Sequence, residues 1–165
     1  MMIALTGFMG SGKTTVGKVL ADFLGCPFMD LDDLVVKKAG KSIPDIFAQD
    51  GEPAFRELEA QVLRKTVEKY AESTAVLALG GGAVLAPASA ALLHEKTVCI
   101  YLRATLDTLL ARLDGETAGR PLADDALASR LASREPVYEK TAHVIMDTDG
   151  LSPDEVADEI IISAL

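Results

Sequence analysis

A chain of 165 residues, 49% hydrophobic and 25% charged, suits one soluble domain spanning 1–165 with enough length to bury a proper core. Its formal charge is −9, with 16 Lys and Arg against 25 Asp and Glu. Such a surface repels polyanions, so neither nucleic acid nor a membrane surface is an expected partner, and an anionic small molecule would need basic residues gathered locally. Cys26 and Cys99 lie far apart, form no metal-ligand spacing and read as buried structural thiols. The opening MMIALTG has no charged leader region, and no apolar run reaches the ~18 residues of a membrane span, so a cytoplasmic location is expected.

In chain order, short apolar runs alternate with longer segments of helical period. IAL (3–5), CPFM (26–29), AVLAL (75–79), TVCIYL (97–102) and HVIM (143–146) are short and flanked by turn or polar residues, as parallel strands covered on both faces are. Between them the sequence predicts helices over 16–25, 52–70, 87–95 and 105–113, with a last one in SPDEVADEIIISAL. In the second of these Phe55, Leu58, Val62 and Leu63 recur at i, i+3, i+7 and i+8, one face of a helix. Pro53 suits that helix's first turn, and Ser152 with Glu155 forms a capping box for the last helix. The alternation predicts an α/β domain around a parallel sheet of five strands. The polar stretch DGETAGRPLADD (114–125) is too long for a simple connection and reads as a lid, taken as about residues 113–125.

Directly after the first strand comes GFMGSGKT (7–14), a full match to G-x-x-x-x-G-K-[ST]. Glycines let successive backbone N–H groups turn toward phosphate oxygens, beside a helix N-terminus of positive partial charge. Gly10, Ser11, Gly12, Lys13, Thr14 and Thr15 are therefore expected to hold a nucleoside triphosphate. Lys13 would reach the β and γ phosphates, and the Thr14 hydroxyl would ligate Mg²⁺.

A GTPase-type switch would want N-K-x-D and D-x-x-G motifs, and the chain has neither. The third strand runs into LALGGG, so the usual Walker B position carries glycine and the metal lacks its common carboxylate. FMDLDD (28–33) offers a replacement. Three carboxylates in four positions can serve as a helix N-cap, but a ligand above them explains their crowding better. Asp30 is expected to end the second strand on the sheet's carboxyl edge, where open α/β sheets bind ligands. Asp32 is expected two residues farther on, at the strand period and facing the same way, and Asp33 only to favour the next helix's first turn.

GFMGSGKTT, MDLD, SIPDIF, DGEPAFRELE, LGGGAV and GRPL, in this order, resemble shikimate kinase, a relative of the nucleoside monophosphate kinases. The likeness runs from the first strand to the last helix. It implies a three-layer α/β/α P-loop kinase fold, with a five-stranded parallel sheet in order 2-3-1-4-5, a substrate-binding region at about 31–60 and a mobile lid. It further implies transfer of phosphate from ATP, with Mg²⁺, to the 3-hydroxyl of shikimate, by a monomer.

By the same resemblance Asp30 holds Mg²⁺ through water and Asp32 accepts hydrogen bonds from the substrate hydroxyls. Arg56 and Arg134 take the substrate carboxylate, and Gly80, Gly81 and Gly82 bring backbone against the ring. Arg120 descends with the lid onto the phosphates. Arg112 lies against adenine, with residues 148–153, including Pro153, on the other side. The short interval from Arg120 to Arg134 implies a compact lid. Residue chemistry agrees: planar guanidinium groups grip carboxylates, and an ionised Asp suits hydroxyls.

Plainer roles stand beside these. Arg56, with Glu52, Glu57 and Glu59 near it, could form solvated ion pairs, and Glu59 could either orient Arg56 or be surface charge. Arg130 shares a helix face with Arg134, the REPVY context favouring Arg134. Phe47 and Phe55 read as packing that could wall the substrate pocket, and His94 and His143 as surface and strand-flank residues without partners. A gluconate-type sugar-acid kinase, a nucleoside monophosphate kinase and a regulatory nucleotide-binding module are the competing functions.

Overall fold

The computed structural model describes residues 1–117 and 123–165, and side chains outside 114–124. Five strands, β1 (Met2–Thr6), β2 (Phe28–Asp30), β3 (Ala75–Ala78), β4 (Thr97–Arg103) and β5 (Val144–Asp147), form one parallel sheet in the order β2-β3-β1-β4-β5. Eight helices connect and cover them among the described residues: α1 (Lys13–Leu24), α2 (Leu31–Ala39), α3 (Ile43–Asp50), α4 (Glu52–Lys69), α5 (Pro87–Lys96), α6 (Leu106–Thr117), α7 (Ala123–Thr141) and α8 (Pro153–Ala164).

Successive strand residues point to opposite faces, and both faces are apolar. Met2, Ala4, Leu77 and Tyr101 pack with Leu31, Phe55, Leu63 and Tyr138 on one side, while Ile3, Leu5, Val76 and Ile100 pack with Val16, Leu20, Val156 and Ile160 on the other. The sheet is thus sandwiched between helical layers. Ser152 Oγ accepts from the Glu155 N–H at 3.2 Å and Glu155 Oε2 from the Ser152 N–H at 2.7 Å, so the predicted capping box opens α8.

Three local expectations change. The second strand starts at Phe28, because α1 ends on Gly25 in the left-handed region and the Cys26 N–H still bonds back to Ala21 O. The helix expected at Asp33 is α2, of 9 residues, and a further helix α3, of 8 residues, follows it, too short to show a convincing periodicity. The stretch expected as a 114–125 loop is helical at 114–117 and from Ala123 onward. The backbone continues the helix through 114–117 although a glycine at 115 costs about 1 kcal/mol relative to alanine. Arg120 lies outside the described residues. Cys99 is buried, and burial pushes its thiol up to about 12, whereas Cys26 is only half-buried. His94 and His143 are exposed as expected but not unpartnered, since their rings stack at 4.4 Å.

Candidate active site

The phosphate loop connects β1 to α1 with backbone shapes that demand glycine. Gly10 and Gly12 sit at φ +82° and +94°, and a Cβ on Gly7 would fall 2.7 Å from Leu102 O. Lys13 folds over this loop, its Nζ donating to Gly7 O at 2.7 Å and Phe8 O at 3.0 Å. Burial lowers its pKa to about 8, although the carboxylates of Asp32 and Asp30 pull it upward. Ser11 Oγ is buried without a hydrogen-bond partner among the described residues. Such a group suits an acceptor that a ligand brings.

Asp30 does two things. Its Oδ1 accepts from the Asp32 N–H at 2.9 Å, capping α2, while Oδ2 accepts from Thr14 Oγ1 at 3.0 Å. The strand ends at Asp30, so Asp32 does not sit at a strand period beyond it. It lies in the first turn of α2, because the cap turns the chain into helix at Leu31. Asp32 is half-buried, and its pKa is raised chiefly by burial and next by Asp30, with Lys13 opposing. Asp33 is exposed in the same first turn, as expected.

On the far side of the loop a cavity of about 330 Å³ is lined by Gly10, Ser11, Gly12, Thr15, Arg112, Thr148, Leu151 and Pro153. Arg112 donates to Gly10 O and Thr148 Oγ1, both at 3.2 Å, and to Thr148 O at 3.1 Å. One guanidinium so ties α6 to the phosphate loop and to the segment after β5.

The glycines after β3 are the meeting point of the other half. A Cβ on Gly80 would lie 3.0 Å from Asp32 Oδ1 and 3.3 Å from Glu59 Oε2. On Gly81 it would lie 3.2 Å from Arg134 Nη1 and 3.5 Å from the Tyr138 hydroxyl, and on Gly82 only 2.6 Å from both terminal nitrogens of Arg56. Asp32, Arg56 and Arg134 are therefore gathered around one bare turn, where the chain sets two guanidinium groups among carboxylates.

Arg56 Nη1 bonds Glu59 Oε1 at 2.9 Å and its Nε lies 3.8 Å from Glu52. Glu59 is only 4% exposed, so the surface-charge alternative fails for it and it orients Arg56. Its pKa is raised by burial, against the hydrogen bond and charge of Arg56. Phe47 and Phe55 pack at 4.9 Å between ring centres, and Arg56 lies 5.1 Å over the Phe55 ring. Arg130 is exposed, while Arg134 is half-buried and 5.8 Å over Phe8. Sequence reasoning missed Phe8 and Tyr138. Tyr138 is one helical turn beyond Arg134, so the helix face shared by Arg130 and Arg134 was signal enough to find it.

A family model for shikimate kinase matches residues 9–164. The chain belongs to the shikimate kinase family. It is 43% identical over 164 residues to the shikimate kinase of Enterococcus faecalis, covering 96% of this chain and 95% of that one. The solved shikimate kinase of Acinetobacter baumannii, in complex with shikimate, superposes with a TM-score of 0.87 at 34% identity, covering 97% of this chain and 90% of that one. A gluconokinase from Sinorhizobium meliloti, at 22% identity and a TM-score of 0.67, shares the fold. Among the described residues no helix is long and apolar enough to cross a membrane.

Proposed function

We propose that this enzyme transfers the γ-phosphate of ATP to the 3-hydroxyl of shikimate, yielding shikimate 3-phosphate and ADP for aromatic amino acid biosynthesis. The observation that carries the reading is the convergence of Asp32, Arg56 and Arg134 on the glycine turn beside the phosphate loop.

Arg56 and Arg134 grip the substrate carboxylate, their planar forks matching its two oxygens. Glu59 holds Arg56 in place through its buried carboxylate. Asp32 accepts hydrogen bonds from the ring hydroxyls, and its raised pKa suits a group that receives the proton of the attacking oxygen. Gly80, Gly81 and Gly82 let the ring approach backbone.

On the donor side Gly10, Ser11, Gly12, Lys13 and Thr15 wrap the phosphates, while Arg112 and Pro153 wall the cavity taken by adenine. Thr14 and Asp30 present two hard oxygens 3.0 Å apart beside the loop, a donor set that fits Mg²⁺ with water between Asp30 and the ion. When bound, the ion neutralises charge on the phosphates. Arg120, by the GRPL resemblance, closes with a lid at about residues 113–125 and helps exclude water from the transfer. A cytoplasmic monomer with no nucleic-acid or membrane partner completes the reading.

A coupled ADP-release assay over shikimate, gluconate and nucleoside monophosphates tests it. Turnover is expected with shikimate alone. Turnover with gluconate and none with shikimate would move the chain to the sugar-acid kinases.

A further inference from the structure

The three glycines that bring backbone to the acceptor have every carbonyl engaged. Gly80 O accepts from the Ala83 N–H at 3.1 Å and Gly82 O from the Leu85 N–H at 3.2 Å. Gly81 O accepts from the Tyr138 hydroxyl at 2.5 Å. By contrast the N–H groups of Gly81 and Gly82 find no acceptor among the described residues. Glycine has no side chain to restrict its torsions, so only these carbonyl bonds decide which way the free donors point.

Two of the three bonds are local to the turn. The third comes from 57 residues away, on α7. Tyr138 is fully buried, and its ring packs against Tyr101 at 5.0 Å between centres, so the hydroxyl has little freedom. The same hydroxyl stands beside the Arg134 guanidinium, one helical turn earlier: a Cβ on Gly81 would lie 3.5 Å from the one and 3.2 Å from the other. All peptides here are trans. The Gly82 N–H therefore points opposite to the Gly81 carbonyl, away from Tyr138.

We propose that Tyr138 is a positioning residue for the acceptor, its hydroxyl setting the Gly81–Gly82 peptide plane and the Arg134 guanidinium together. One side chain so keeps a neutral donor and a carboxylate-binding cation at a constant separation, and a substrate bearing both a hydroxyl and a carboxylate is held at both ends.

This role rests on the proposed acceptor site, and the experiment separates the two. Tyr138→Phe keeps the packed ring and removes only the hydroxyl. It is expected to raise the KM for shikimate about tenfold, leave the KM for ATP within about twofold, and leave Tm close to wild type. Tyr101→Phe, which removes the hydroxyl of a neighbouring buried tyrosine that makes no bond to the turn, is expected to change neither KM. A shikimate KM within about twofold of wild type in Tyr138→Phe overturns the role. So does a parallel rise of both KM values with a fall in Tm, which would make the hydroxyl merely structural. Wild-type protein that does not phosphorylate shikimate would instead refute the acceptor site itself.

Discussion

Raising the pH from about 7.5 to about 9.5 is expected to weaken nucleotide binding about 20-fold, through Lys13 alone. In the nucleotide-free protein its ammonium is lodged against two loop carbonyls and its pKa is lowered from 10.5 to about 8. A triphosphate brings several negative charges to the same spot and restores the charged form. Binding must then capture a proton whenever the free protein has lost one. With a free pKa of about 8, roughly 0.8 proton is taken up per nucleotide at about pH 8.5. Calorimetry in two buffers of different ionisation enthalpy reads that number directly. Lys13→Met should abolish both the uptake and the steep loss of affinity. The sign for stability is the reverse: because the folded value lies below the ordinary one, the unfolded chain holds more protons between about 8 and 10.5. This group's contribution to the stability of the nucleotide-free protein therefore rises across that window. Equal proton uptake by wild type and Lys13→Met would refute the reasoning.

Asp32→Asn should keep ATP affinity and lose at least about 10²-fold in kcat, and the acid limb of wild-type kcat/KM should sit above the ordinary carboxylate range near ~4; near-normal turnover would remove Asp32 from the chemistry. Arg56→Ala should raise the KM for shikimate about 100-fold and that for ATP little, with Arg56→Lys recovering only part of the loss because it lacks the fork. Gly82→Ala should fold with little change in Tm, since the nearest atoms the added methyl meets belong to the flexible tip of Arg56, at 2.6 Å. It should nevertheless displace that tip and raise the shikimate KM about tenfold, and an unchanged KM would place the carboxylate elsewhere. Arg112→Ala removes three hydrogen bonds between α6, the loop and the segment after β5. It should raise the ATP KM about tenfold without affecting shikimate, and an effect on both would contradict separate sites.

Long elements and glycine loops were legible because their signals are local. The phosphate loop is a complete motif, β1, β3 and β4 are unbroken apolar runs, and α4 and α8 carry periodicity or a capping box. Asp30 and Asp32 stood out as crowded charge, yet their division of labour did not. A strand period and a helix first turn both put charge near the sheet edge, and the cap at Asp30 decided for helix. Arg56 and Glu59 are adjacent on α4, but their burial depends on α4 packing beside the glycine turn, which no spacing reveals. Tyr138 was signalled by its spacing from Arg134 on one helix face, but its partner was not. Its bond to Gly81 joins residues far apart in sequence and exists only once α7 lies over the end of β3.

Sheet order explains why these parts make a phosphoryl-transfer site. Asp30 ends β2, the glycine turn follows β3 and the phosphate loop follows β1, and these strands are neighbours in that order. Acceptor groups and the Thr14–Asp30 oxygens therefore lie on one side of the loop. Beyond β1 the sheet continues through β4 to β5, and Arg112 and Thr148, which follow those two strands, line the cavity on the other side. The crossover connections change direction at β1, the switch point where open parallel sheets leave a crevice at their carboxyl ends. Phosphates placed at that point, as proposed above, would set adenine to one side and the acceptor to the other, with Lys13 on the loop between. A phosphate transferred in that proposed arrangement would pass the Lys13 ammonium on its way from donor to acceptor. That economy follows from strand order before any individual contact is considered. It also requires that loss of Lys13 impair both half-sites, whereas loss of Arg56 or Arg112 impairs only one.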